Sequence, residues 1–167
     1  MSRLYIPSKR FMQDRQAHAA NLRAMEHWAE QIEADIPLFL TRAYEQGVTG
    51  SHSTASLVNW FSPVSITKRR STTQLLVNVR TTFFVSGFTR VDAAINIGGT
   101  DYPNSTGLVL GAKNTASDHS FHAVSFLISG IAAGARSLQF RIRAVHSQTV
   151  SVDANDKFEM EVWEVPA

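Results

Sequence analysis

Histidine and aspartate are the residues of this sequence best suited to metal or acid–base chemistry, because the chain contains no cysteine. His119 and His122 lie three residues apart, with Asp118 immediately before them. On a strand, that spacing directs the two imidazoles to opposite faces, so joint metal ligation would require a loop here. We therefore interpret the segment as an ordinary turn and predict no metal site. Whether either imidazole binds an ion stays open.

Carboxylates are the second kind of candidate, since a pair of them could hydrolyse a glycosidic bond. Five aspartates lie near predicted turns, where this residue is common because of its local hydrogen bonds. They are Asp92, Asp101, Asp118, Asp153 and Asp156. The sequence has no Gly-rich phosphate loop, no Gly-x-Ser-x-Gly motif and no His-Glu-x-x-His motif. We predict a protein without catalytic residues, cofactor or metal, and keep a small depolymerase as the enzymatic alternative.

Two tryptophans are candidates for contact with a partner. Trp163 shares a predicted strand face with Glu159 and Glu161, and Trp60 also falls outside the inward alternation. A large aromatic side chain on an outward face is typical of an interface. We expect Trp60 and Trp163 to contact another subunit, with a platform for a sugar ring as the alternative.

Charge and hydropathy exclude two classes of partner. The formal net charge is +2, and the basic run at 68–70 (KRR) is short enough to be a solvated turn. The first residues form no apolar signal-peptide core, and no segment approaches the roughly 18 apolar residues of a membrane span. We expect a protein made in the cytoplasm that neither binds nucleic acid nor inserts into a membrane.

The pattern around which the chain is organised is a helical one that begins near residue 14. Apolar residues recur in alternating steps of three and four, which is the pattern of a coiled-coil seam. They are Leu22, Met25, Ala29, Ile32 and Ile36. Upstream, Arg15 and His18 occupy seam positions, where polar residues fix register and could form a ring that binds an ion. The pattern predicts a helix over 14–36 that associates with copies of itself; an amphipathic helix packed on its own domain is the alternative.

Composition changes along the chain suggest four segments. Residues 1–13 form an arm that mixes basic with large apolar residues, and we expect it to anchor on a larger assembly or to pack on the helix. After the helix, residues 37–53 contain a proline and two glycines, and we expect a linker with one helical turn. From 54 to 167 the period changes to two, which predicts an antiparallel β-sandwich of jelly-roll-like type.

Two segments of the predicted sandwich alternate cleanly between apolar and charged residues. One is 138–144 and the other is 158–162. If these strands pair, Arg141 and Arg143 would lie opposite Glu159 and Glu161.

Three stretches resemble small structural proteins of tailed bacteriophages. They are the helix segment 21–29 (NLRAMEHWA), the Gly-containing hairpin at 127–140 and the closing strand at 158–165. The resemblance implies a homotrimeric fibre or spike, or a capsid decoration protein, without catalytic residues. It further implies an N-terminal arm bound to other virion proteins and a β-domain directed outward. In that position the β-domain would contact a glycan on the host surface. A carbohydrate-binding adhesin module is therefore the alternative function.

Overall fold

The computed structural model describes residues 9–53, 55–103, 107–113, 119–146 and 148–167. The side chains of 9–14, 30–34 and 112–113 are outside this description. The chain divides into a helical unit that ends at Ile36 and a β unit that begins at Pro37.

The helical unit is one helix, α1, from Lys9 to Asp35. Its 27 residues contain no glycine or proline, and at 1.5 Å per residue the helix is about 40 Å long. Pro37 follows two residues after its end and cannot continue it. The helix ends one residue before the predicted position 36. The predicted start at 14 is wrong, because residues 9–13 of the expected arm already belong to the helix; residues 1–8 lie outside the described part.

The β unit contains twelve described strands. They are β1 (Leu38–Gln46), β2 (Gly50–His52), β3 (Val58–Asn59), β4 (Val64–Lys68), β5 (Gln74–Val85), β6 (Thr89–Ile97), β7 (Thr100–Tyr102), β8 (Leu108–Lys113), β9 (Ser120–Ile128), β10 (Gly134–Ala144), β11 (Val150–Val152) and β12 (Lys157–Val165).

These strands form two antiparallel sheets. The first has the order β1-β12-β5-β11-β2, with β9 also paired to β5. The second has the order β3-β10-β6-β7, with β4 paired to β10 and β8 to β6. The protein is therefore mainly β, with one N-terminal helix and a sandwich-like β unit, as the period-two pattern predicted.

Strand β1 corrects the prediction of a linker at 37–53. It pairs with β12 along its whole length, from Leu38 opposite Glu164 to Gln46 opposite Lys157. The register shifts between Phe39 and Thr41, and such a bulge interrupts the alternation by which a strand is recognised in a sequence. The expected helical turn in this segment is wrong for that reason.

The apolar core lies between the sheets. Strand β10 alternates buried and half-buried residues as predicted, and β12 does the same. The phenyl ring of Phe158 stacks on that of Phe61 with 4.0 Å between ring centroids, and the ring of Phe140 lies 5.5 Å from that of Phe158. Burial of each such side chain contributes on the order of 2 kcal/mol to the free energy of unfolding.

The predicted charge match between β10 and β12 is wrong, because the two strands belong to different sheets. Arg141 instead binds Asp101, with Nη1 2.8 and 2.7 Å from the two carboxylate oxygens. Arg143 binds Asp92 at 2.8 Å. Each arginine therefore pairs with a carboxylate of its own sheet. Which carboxylate it meets depends on which strands become neighbours.

Candidate functional site

The predicted seam is exposed on the helical unit wherever its side chains are described. Leu22 is 48% exposed, Met25 67% and Ile36 57%, and Ala29 is exposed as well. The side chain of Ile32 lies outside the described residues. The steps of three and four place Leu22, Met25 and Ala29 on one side of α1. In a single chain this apolar stripe faces water, and a second helix is a surface that could cover it.

His18 also lies on α1, where its side chain is exposed. Among the described residues of α1 no stretch has the apolar character that a transmembrane segment requires.

Trp60 is not a surface residue, which corrects its prediction as a partner contact. Only 7% of the residue is exposed, and its backbone N–H donates to the carbonyl of Phe140 at 3.0 Å. This hydrogen bond fixes the chain against β10, and the indole packs on the rings of His52 and Phe61. The backbone around Trp60 is irregular, so the sequence there shows no alternation of apolar and polar residues from which the burial of Trp60 could be predicted.

Trp163 lies on the outer face of the first sheet, as its alternation with Glu159 and Glu161 predicted. The registers align it with Phe39 on one side, and with Leu76 and then Leu127 on the other. We call these four residues the outer apolar row. Phe39 is 47% exposed and Leu127 65%, and the Phe39 ring meets the Trp163 indole edge-on at 5.0 Å. The row is an apolar band across four strands, which is the kind of surface that protein partners cover.

Charged residues lie next to the row on this outer face. Arg42 forms ion pairs with Glu159 and Glu161, and Arg80 Nη1 lies 3.6 Å from Glu159 Oε2. Such surface pairs contribute at most about 1 kcal/mol each, so they add little to the stability of the β unit.

A small cavity of about 130 Å³ lies on the same face. Tyr44 and Phe121, which are 54% and 65% exposed, stand among its lining residues together with Arg80, Lys157 and Glu159. Aromatic rings beside charged hydrogen-bonding groups are suited to a single sugar ring.

A second, larger cavity of about 670 Å³ opens where β1 approaches β4 and β10. Phe39 and Leu40 line it from β1, and Ser65 and Thr67 line it from β4. Arg69 and Arg136 are the charged residues of its lining. This lining offers hydroxyl and cationic groups, so it favours an anionic or hydroxylated ligand.

Lys68 is buried, which corrects the prediction of a solvated basic turn at 68–70. It is 1% exposed, and its ammonium group donates to Thr73 Oγ1 at 2.8 Å and to the carbonyl of Arg70. The carboxylate of Glu164, also 1% exposed, lies 3.9 Å away. Burial lowers the pKa of Lys68, while the charge of Glu164 opposes that shift.

Glu164 is held by donors from the turn after β4. Its two oxygens accept the backbone N–H groups of Arg69 and Arg70, each at 2.8 Å, and the hydroxyl of Thr73. Burial alone would raise the pKa of Glu164, but these hydrogen bonds and the Lys68 charge outweigh it and the pKa is lowered. The carboxylate therefore stays ionised and ties β12 to the β4–β5 turn.

His119 forms a cluster with Asp153 and Asp156. Its Nδ1 lies 2.9 Å from Asp156 Oδ1, and its Nε2 lies 3.5 Å from Asp153 Oδ2. His122 is on β9, where its Nε2 lies 2.6 Å from Ser120 Oγ. Asp153 and Asp156 were predicted to be turn formers, but no feature of the sequence indicated that their turn lies beside His119. Asp118 lies outside the described residues.

Comparison with known proteins gives no assignment. The sequence matches no family model, and no curated protein matches it. The functional argument therefore depends on the geometry of the chain itself.

Proposed function

We propose that this protein is a non-enzymatic structural protein of a bacteriophage virion that assembles as a homotrimer. The observation that carries the proposal is the exposed apolar stripe of α1, whose steps of three and four are the seam pattern of a coiled coil. The helix would form the stalk of a fibre, a spike or a capsid decoration protein. The segment before it would anchor on other virion proteins, with the β unit directed outward.

The strand pairing supports a jelly-roll interpretation of the β unit. Among the eight principal strands the pairs are nested, with β1 on β12, β4 on β10, β5 on β9 and β6 on β8. Such nesting arises when one long hairpin is wrapped into two sheets, and viral capsid domains are among the proteins with this architecture.

The outer apolar row supports contact between β units in the same assembly. Phe39 follows Ile36 by only three residues, so helices joined along the seam would bring the rows of several copies close together. Burial of the row would remove Phe39 and Leu127 from water, at about 25 cal/mol per Å² of apolar surface.

Light scattering after size-exclusion chromatography tests the assembly. The trimer has three times the chain mass of 18.5 kDa, and it is expected at micromolar concentration. Met25→Asp places three carboxylates in one layer of the seam and should yield monomers, since loss of three buried methionines alone costs about 6 kcal/mol. Ala24→Asp, on the neighbouring exposed position outside the seam, is the matched control and should remain trimeric.

A wild-type monomer at micromolar concentration would overturn the coiled-coil stalk, as would a Met25→Asp variant that assembles as well as Ala24→Asp. Electron microscopy of the native particle tests the virion assignment separately, because it shows copy number, symmetry and location together.

A carbohydrate-binding adhesin module is the second candidate, favoured by the cavity beside Tyr44 and Phe121. Three weak sites on one trimer would gain avidity on a repetitive cell surface. A glycan array probed with wild type and with Phe121→Ala tests it: binding that the variant loses supports an adhesin, and no binding by intact wild type leaves a structural role.

A further inference from the structure

We propose that His119 and Asp153 bind one divalent transition-metal ion, with Asp156 orienting the histidine. The three residues meet where the chain enters β9 and where β11 turns into β12. One ligand atom from each lies within 4.8 Å of the other two. This cluster is independent of the helix and of the proposed assembly.

The orientation of the His119 ring is fixed from two sides. Asp156, whose side chain is 2% exposed, places Oδ1 2.9 Å from Nδ1. Its other oxygen accepts the backbone N–H of Asp153 at 2.8 Å, so the carboxylate itself cannot rotate freely. The phenyl ring of Phe84 packs on the imidazole at 4.7 Å. We assign the Nδ1 proton to the hydrogen bond with Asp156, which directs the Nε2 lone pair toward Asp153.

The distance between His119 Nε2 and Asp153 Oδ2 matches that of two ligands of one ion. With the proton on Nδ1, both atoms carry lone pairs and are hydrogen-bond acceptors 3.5 Å apart, an arrangement that a cation bound by both would stabilise. Zinc bonds of about 2.0–2.2 Å at a tetrahedral angle place a nitrogen and an oxygen ligand about 3.4 Å apart. The other oxygen of Asp153 accepts the N–H of Asn155 at 2.8 Å, so the carboxylate is held with Oδ2 toward the imidazole.

The ligand types select the class of ion. An imidazole nitrogen with a carboxylate oxygen suits Zn²⁺ and its neighbours in the first transition row, whereas Ca²⁺ and Mg²⁺ prefer oxygen ligands alone. A buried carboxylate on the second ring nitrogen is the usual support of a metal-bound histidine. The side chains of His119 and Asp153 are 37% and 40% exposed, so an ion can enter and water can complete its coordination.

Calorimetric titration of the full chain with ZnCl₂ tests the site, with MgCl₂ as the comparison ion. We expect one Zn²⁺ per chain, and affinity reduced at least tenfold by His119→Gln or Asp153→Asn. Asp156→Asn should weaken binding about 10- to 100-fold without removing a ligand. His146→Gln, which changes an exposed imidazole in the turn after β10, is the matched control and should bind as wild type does.

Nitrogen NMR of the histidine rings in wild type gives a readout that does not depend on how the variants fold. Zn²⁺ should shift the Nε2 resonance of His119 and leave that of His146 in place. A proton, rather than a metal ion, between the two acceptors would leave His119 doubly protonated and unaffected by Zn²⁺. That result would overturn the proposal, as would full-strength binding by His119→Gln.

Discussion

Replacing Glu164 by glutamine removes the charge of a carboxylate that is buried in the β unit. The side chain accepts two backbone N–H groups and the hydroxyl of Thr73, and the ammonium group of Lys68 lies 3.9 Å away. In Glu164→Gln one carboxylate oxygen becomes an NH₂ group that cannot accept a hydrogen bond. A backbone N–H then loses its acceptor, and the buried ammonium of Lys68 loses its counter-charge.

The expected loss is about 3 kcal/mol of the free energy of unfolding. Breaking a buried ion pair by removing one partner typically costs about 3–5 kcal/mol, and the lower value applies because Lys68 keeps the hydroxyl of Thr73 as a partner. Since domains of this size are stable by about 5–15 kcal/mol, the variant should still fold, with a Tm lower by about 10 °C.

The pH dependence of the loss follows from the lowered pKa of Glu164. A carboxyl whose folded pKa lies below its unfolded value stabilises the protein above the unfolded value of about 4.3, and that contribution is lost as the pH falls through the folded pKa. Urea unfolding of wild type and Glu164→Gln at pH 7 and at pH 3 measures it. The difference between the two proteins should be largest at pH 7 and smaller at pH 3.

Glu161→Gln is the matched control, because it changes the same residue type three positions earlier on the same strand. Its carboxylate is 22% exposed and lies 3.8 Å from Arg42, so its loss should cost less than about 1 kcal/mol. Equal effects of the two substitutions, or a Glu164→Gln effect independent of pH, would refute the reasoning.

Two further substitutions test other parts of the β unit by thermal unfolding. Asp92→Asn should cost about 2 kcal/mol, because this 2% exposed carboxylate binds two arginines; a change within 0.5 kcal/mol would show that those arginines find other partners. Gly107→Ala should lower the Tm, because the glycine has φ +72° and an added Cβ would lie 2.7 Å from the carbonyl oxygen of Ala93. Gly50→Ala, where a Cβ meets no atom within 4 Å, should be nearly neutral, and equal effects would contradict the steric argument.

Local patterns predicted the regular parts of the fold and failed where the backbone is irregular. Strands β10 and β12 alternate without interruption, so their positions and buried faces could be read from the sequence. Strand β1 contains a bulge, and its first residues continue the apolar spacing of the helix. The sequence pattern therefore predicted a linker in its place. Trp60 follows a strand of only two residues, which is too short to show a period.

Partners distant in the sequence could not be predicted by spacing. Arg141 and Arg143 were correctly expected on an outward face, but which carboxylates they bind depends on the strand order. Lys68 and Glu164 are far apart in the chain. In the sequence alone, a basic run that contains a buried lysine cannot be distinguished from a basic run that is fully solvated. His119 was a candidate from the start, yet its carboxylate partners come from the turn after β11, three strands later.

The nested pairing also determines when the β unit can fold during synthesis. Strand β1 leaves the ribosome early, but its hydrogen-bonding partner β12 is the last of the described strands in chain order. The helix needs only contacts between residues four apart, which form within about a microsecond, whereas the β unit must close its longest loop before the first sheet is complete. We therefore expect α1 to form on the nascent chain and the β unit to fold only after translation has passed β12, with the edges of β1 and β5 that pair with β12 exposed until then.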